Sequence, residues 1–158
     1  MKKEKMPWAV KQQCIWIIRD YDRVRRAYLA ARREIIEASG SHFTEYVVNG
    51  ERRLAIMPGT HTARRTTEDR QLALEALEYV PTFKQMHAVE HAREKIGLEL
   101  PVMLRDALRE AILLNCKNGR AYPFERLYVV GISRTDFYRF RDDMLRSIAA
   151  ELGLWRAE

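Results

Sequence analysis

The chain has 158 residues, 47% of them hydrophobic, and 28 Lys+Arg against 22 Asp+Glu give a formal net charge of +6. That length and apolar content suffice for one domain, or for a small domain on a helical arm, and exclude disorder throughout. The positive excess favours an anionic partner and sits at the ends: residues 1–39 carry ten basic and five acidic residues, 40–100 carry eight and nine, and 101–158 carry ten and eight.

Cys14 and Cys116 are the only cysteines and form neither a CxxC nor a disulfide-spaced array, so a reducing compartment such as the cytoplasm is the simpler expectation. No apolar run approaches the roughly 18–20 residues of a membrane span, and MKKEKMPWAVKQQ lacks the contiguous apolar stretch of an export signal.

The first predicted element is a helix from Pro7 to Ala38. Val10, Cys14, Ile17, Tyr21, Val24, Tyr28, Ala31 and Ile35 alternate at spacings of 4 and 3, the seam of a coiled coil. Ile15, Ile18, Leu29 and Ile36 widen that stripe, so more than one neighbour is expected, and a homo-oligomer formed through this helix is a candidate. Pro7 suits a first helical position, and Ser39-Gly40 supplies a stop. At about 1.5 Å per residue the arm reaches roughly 45 Å.

Next, FTEYVVNGERRLAIM places Asn49-Gly50 between runs with β-branched or aromatic residues. Both central positions of a type I′ turn need φ > 0, so a small β-hairpin is predicted near residues 43–56. Arg52, Arg53, Arg64 and Arg65 are placed to touch nucleic acid, but solvated loop charges explain them better.

The partner of the first arm is predicted from Thr67 to Ile96, where Leu72, Ala76, Tyr79, Phe83 and Met86 continue the alternation through Pro81. That proline removes a backbone hydrogen bond and should bend or split the helix near residues 77–81. HAVEH, residues 87–91, matches the H-x-x-E-H zinc signature, with His87, His91, Glu90 and Glu94 in play. The match is short, the helix is needed for packing, and a peptidase needs far more chain for its cleft. Two surface histidines, no metal, no cofactor and no catalysis are the expectation.

After Gly97 three helices are predicted: PVMLRDALREAILLNC with Leu104, Leu108, Ala111 and Ile112 on one face, then PFERLYVV, then a helix beginning after Gly131. Ser133 can cap that last helix, with Asp136 three residues on returning a hydrogen bond to the free backbone N–H, and Ile132 can pack inward as a staple. Phe137, Phe140, Met144, Ile148 and Leu152 form its apolar face; Thr135, Arg139 and Arg146 point away and Tyr138 borders them. A helix, a glycine turn and a second helix of this kind meet the requirements of a helix-turn-helix, with Val130, Ile132, Phe137 and Phe140 at the buried positions. Leu127 and Arg126 depart from the small and apolar residues usual in the preceding helix.

Arginine reads guanine through two parallel hydrogen bonds, and a capped helix N-terminus favours an anion. Arg139 and Thr135 are therefore the first choices for base contact, with Ser133, Arg134, Tyr138 and Arg146 for phosphate or flanking contact. Asp142 and Asp143 should lie away from the DNA.

ERLYVVGISRTDFYRFRDDMLRSIAAELGL resembles the C-terminal helix-turn-helix of phage late-gene transcription regulators of the RinA and ArpU type, itself similar to region 4 of sigma factors. GTHTARRTTEDRQLALEAL is similar to the Gly…Thr-Ala-containing start of that family's second long helix. The resemblance implies a bacterial or prophage protein that binds promoter double-stranded DNA to activate late genes, with RNA polymerase a further candidate partner. The expected architecture is mainly α: a long antiparallel helical arm with a small β-hairpin insertion over residues 1–100, then a three-helix helix-turn-helix unit over 101–158. A helical assembly protein, such as a small DNA-packaging (terminase) subunit, is the alternative.

Overall fold

The computed structural model describes residues 4–38, 42–57 and 67–156. The protein is mainly helical, with a two-stranded hairpin inserted into the helical arm and a helix-turn-helix arrangement of short and long helices at the C-terminus. In chain order the elements are α1 (Trp8–Ala38), β1 (His42–Val48), β2 (Glu51–Met57), α2 (Thr67–Glu78), α3 (Pro81–Lys95), α4 (Val102–Asn118), a 3₁₀ turn (Gly119–Ala121), α5 (Phe124–Leu127) and α6 (Arg134–Glu151). Arg64 and Arg65, and the Ser39-Gly40 stop, lie outside the described residues.

Two compact units partition the chain, one of residues 1–24 with 84–158 and one of 25–83. The boundary therefore differs from the division at residue 100. The reason is packing: Cys14, Ile15 and Ile18 of α1, Ala88, Val89 and Ala92 of α3, Leu108 and Ile112 of α4, and Phe137, Leu145 and Ile148 of α6 belong to one buried cluster. The C-terminal helices have no core of their own apart from the start of α1 and from α3. Polar ties reinforce that union at its surface. Lys11 Nζ meets Asp142 Oδ1 at 2.6 Å, Lys117 Nζ meets Asp22 Oδ2 at 2.6 Å, and the Tyr21 hydroxyl donates to Glu90 Oε1 at 2.9 Å.

The second unit is the arm. Tyr28 donates its hydroxyl to Glu78 and sets its ring edge-on to Phe83, with centroids 5.2 Å apart, which ties the later half of α1 to the end of α2 and the start of α3. In the hairpin, Val48 pairs with Glu51 and Val47 with Arg52, and Asn49 at φ 53° with Gly50 at φ 81° supply the two left-handed positions that the turn needs. Arg53 reaches Glu51 at 3.8 Å and Arg52 is exposed, in keeping with solvated charges.

Pro81 splits the second arm as expected. α2 ends at Glu78 and α3 begins at Pro81, whose missing N–H costs nothing at the start of a helix. The seam expected on α2 is corrected: Leu72 and Tyr79 are 58% and 73% exposed, and Ala73, Leu74 and Leu77 turn inward instead. The alternation was read straight through the proline, but the two-residue break between helices resets the phase.

Candidate nucleic-acid interface

α4 closes with Gly119 at φ 56°, and the chain turns through Asn115, whose Nδ2 donates to the Tyr122 carbonyl at 2.8 Å. α5 is shorter than PFERLYVV suggests. Tyr128 adopts a left-handed conformation, φ 52° and ψ 37°, and ends the helix at Leu127. This reverses an assignment further on, because Val130 is 85% exposed while Val129 is buried in the core. Gly131 at φ 90° then redirects the chain into α6, with Leu104 Cδ2 only 3.6 Å from where a Cβ would stand. Ile132 packs against the core as the expected staple, and Leu127 is half-buried there while Arg126 stays outside, donating to the Ala121 carbonyl at 3.2 Å.

The cap of α6 is present with one difference. Ser133 Oγ accepts from the Asp136 N–H at 3.1 Å, but the Asp136 carboxylate accepts from the Ser133 hydroxyl at 2.7 Å rather than from the backbone N–H. Aspartate is one methylene shorter than the glutamate of a full capping box, and it stops at the hydroxyl. Phe137, Phe140, Met144 and Ile148 are buried and Leu152 packs against them, as their spacing requires, and Leu145 and Ala149 add to that face. Phe137 leans on Phe124 of α5 with ring centroids 5.3 Å apart, which joins the two helices of the candidate motif.

On the outer face, Ser133, Arg134, Thr135 and Arg139 are exposed together at the start of α6, whereas Tyr138 and Arg146 are half-buried. The two exposed arginines have acidic neighbours. Arg139 Nη2 lies 3.0 Å from Asp136 Oδ1, and Arg134 Nη1 lies 3.1 Å from Glu125 Oε1. Arg134 also sits over the Tyr138 ring at 5.9 Å. Arg146 is separated from this group: it lines a small cleft with Lys5, Met6, Pro7, Trp8, Lys11 and Asp142. Asp142 faces Lys11 there.

Sequence reasoning missed a second basic site in the same unit. Trp8, Gln12, Arg19, Arg120, Tyr138 and Arg141 line a cleft of about 610 Å³. These residues come from α1, the 3₁₀ turn and α6, and no local spacing connects them. Cys116 lies in its wall, where burial pushes the thiol up and Arg141, Arg19 and Lys11 pull against that rise.

The histidines of HAVEH each meet a carboxylate. His87 Nδ1 lies 3.2 Å from Glu90 Oε2, and His91 Nδ1 lies 2.7 Å from Glu151 Oε1. Among the described residues no group of three or more His, Cys, Asp or Glu is placed to hold a metal ion, and no helix is long and apolar enough to cross a membrane. Comparison of the chain with protein-family models, with curated proteins and with solved structures finds no match in any of the three.

Proposed function

We propose that this protein is a sequence-specific regulator of transcription that binds double-stranded DNA through α6 and has no catalytic role. The observation that carries the reading is the start of α6: a serine-capped helix, entered through a left-handed glycine and held by Phe137 on Phe124, exposes Thr135, Arg134 and Arg139 while its opposite face is buried. A helix so anchored can lay its first turns in a major groove. The carboxylates beside the arginines do not oppose this. Both pairs are solvent-exposed, such pairs contribute about 0–1 kcal/mol, and a guanine edge offering two acceptors can take over the guanidinium.

Within this proposal Arg139 and Thr135 contact bases, Ser133, Arg134 and Tyr138 contact the flanking backbone, and Arg146 contacts phosphate from its neighbouring cleft. The resemblance to phage late-gene regulators supplies the finer reading: an activator acting in the cytoplasm of a bacterial host, with RNA polymerase as a partner. Association of copies through α1 would fall to Trp16 and Leu29, which are exposed, since Cys14 and Ile17 of the seam and Ile18 beside it are covered within one chain.

Selection of bound sequences from a random duplex pool tests the proposal. A recovered consensus is the expected result, and Arg139→Ala should then lose roughly 1–3 kcal/mol on it and relax one base position. Arg146→Ala should weaken all sequences alike and lower the salt slope by about one. Non-selective binding by ring-like assemblies would favour the packaging alternative instead.

A further inference from the structure

The cleft between the start of α1, the 3₁₀ turn and α6 carries more positive charge than its packing needs. Three guanidinium groups, Arg19, Arg120 and Arg141, line it, and no carboxylate is among the described residues that do so. Arg141 is the most constrained. Its side chain is only 15% exposed, and its Nε is buried without a hydrogen-bond acceptor among the described residues. Asp142 approaches Arg141 only to 4.0 Å and is already held by Lys11 at 2.6 Å. The guanidinium also hydrogen-bonds the Cys116 thiol, a weak acceptor, so a buried cationic donor short of strong acceptors is costly unless something supplies them.

Arg19 is aimed by its surroundings. Its Nε donates to the Cys116 carbonyl at 3.2 Å, and its guanidinium sits 5.2 Å from the Trp16 ring centroid. Its Nη2 would lie 3.2 Å from a Cβ at position 119, so glycine there leaves the guanidinium its room. Arg120 follows immediately and is exposed. Beside this cationic floor stand two aromatic faces, Tyr138, half-buried, and Trp8, 75% exposed at the rim. A bare anion would use the arginines and leave Trp8 idle.

We propose that this cleft binds a nucleotide, its phosphate held by Arg19, Arg120 and Arg141 and its base stacked on Trp8. A cavity of about 610 Å³ falls in the range of small-ligand sites, and base stacking on an aromatic side chain is sequence-tolerant. The ligand is a free nucleotide or a nucleotide of a bound strand, which present the same phosphate and base. Its three arginines lie outside the group exposed at the start of α6, Tyr138 borders both, and the cleft does not require that face to read DNA.

Calorimetric titration of the full chain with 5′-AMP, adenosine and inorganic phosphate tests this, together with duplex DNA as a competitor for labelled AMP. AMP should bind at least roughly tenfold more tightly than adenosine, and Arg120→Gln should weaken it roughly tenfold or more without lowering the melting temperature. Trp8→Ala should weaken AMP and leave inorganic phosphate unchanged. Displacement of AMP by duplex, with both affinities falling in Arg120→Gln, assigns the phosphate to the strand; AMP bound alongside duplex assigns it to a free nucleotide. Arg141→Gln is the buried counterpart, read only where circular dichroism matches the parent. The proposal is overturned if neither AMP nor duplex loses affinity in Arg120→Gln or in folded Arg141→Gln. Failure of random-pool selection to yield a consensus, with AMP binding intact, would sink the regulator reading alone.

Discussion

One helix serves two very different interiors. Over its first half, Cys14, Ile15 and Ile18 disappear into a cluster shared with α3, α4 and α6, while beyond Val24 only Tyr28 and Ile36 of this helix are buried, and α2 has no buried residue. The sequence pattern is equally regular in both halves, so periodicity does not set the depth of burial. The number of elements available to cover the stripe does. In the packed unit Ile15 and Ile18 widen the seam and both are covered; in the arm Ile36 is covered while Leu29 stays 46% exposed. Apolar area removed from water contributes about 25 cal/mol per Å², so stability concentrates in the packed unit and the arm should open at lower free energy.

The largest break in that contrast comes from the core. Phe137 is fully buried against Phe124 and Tyr138, and Phe137→Ala should destabilise the packed unit by about 3–5 kcal/mol. Hydrogen exchange should show α4 and α6 losing protection together. If only the first turn of α6 loosens, the shared core is not cooperative.

A smaller effect concerns Cys14, whose thiol burial pushes up to about 11 from 9.0. The folded state thus holds the neutral thiol where the unfolded chain would ionise, so this contribution is complete below pH 9 and is lost as pH rises from 9 to 11. Roughly 1–3 kcal/mol should fall away over that window, and Cys14→Ala should flatten the decline even if it lowers stability overall. Denaturant midpoints at pH 8.5 and 10.5 measure it. An equal decline in both proteins would place the alkaline sensitivity elsewhere.

Gly131→Val tests the junction on which α6 depends. At φ 90° a β-branched side chain is strained, and a cost of about 1–3 kcal/mol is expected although a Cβ alone would meet Leu104 at ordinary contact distance. Melting unchanged from the parent would mean that the turn relaxes freely and does not fix the start of α6.

Much of this was legible in the residues. Asn49-Gly50 announced a hairpin turn because few residues tolerate two consecutive positive φ values, and Pro81 announced a break because it lacks an N–H. The inner face of α6 followed from spacing alone. What failed to show was anything that depends on tertiary phase or distance. Val129 rather than Val130 is buried because Tyr128 turns left-handed, which no propensity for tyrosine suggests. The two compact units divide elsewhere than at residue 100 because Ala88 and Val89 share a cluster with Phe137 across some fifty residues of sequence. Of the candidate contact residues, Thr135 and Arg139 are exposed on the face that the wheel gives them, while Ser133 and Arg134 are exposed at the helix tip, Arg134 off that face. The Asp136–Arg139 pair at i,i+3 was readable and overlooked. Arg19, Arg120 and Arg141 were not readable as a group, since only folding brings them to one cleft.

The finest test lies in the arm. Among the described residues of the arm, Tyr28 combines burial, an aromatic contact with Phe83 and a hydroxyl donated to Glu78. Tyr28→Phe keeps the ring and the T-shaped contact and removes only the hydrogen bond, whose acceptor is a carboxylate at an exposed position and can turn to water. The loss should therefore be about 0.5–1.5 kcal/mol, and it should appear in the exchange of α2 amides with little change in those of α4. Tyr28→Ala, which also removes the ring, should cost more in α2 and still leave α4 protected. If either substitution lowers protection in α4 as much as in α2, the arm and the packed core unfold as one, and the difference in burial between the two halves of α1 has no counterpart in stability.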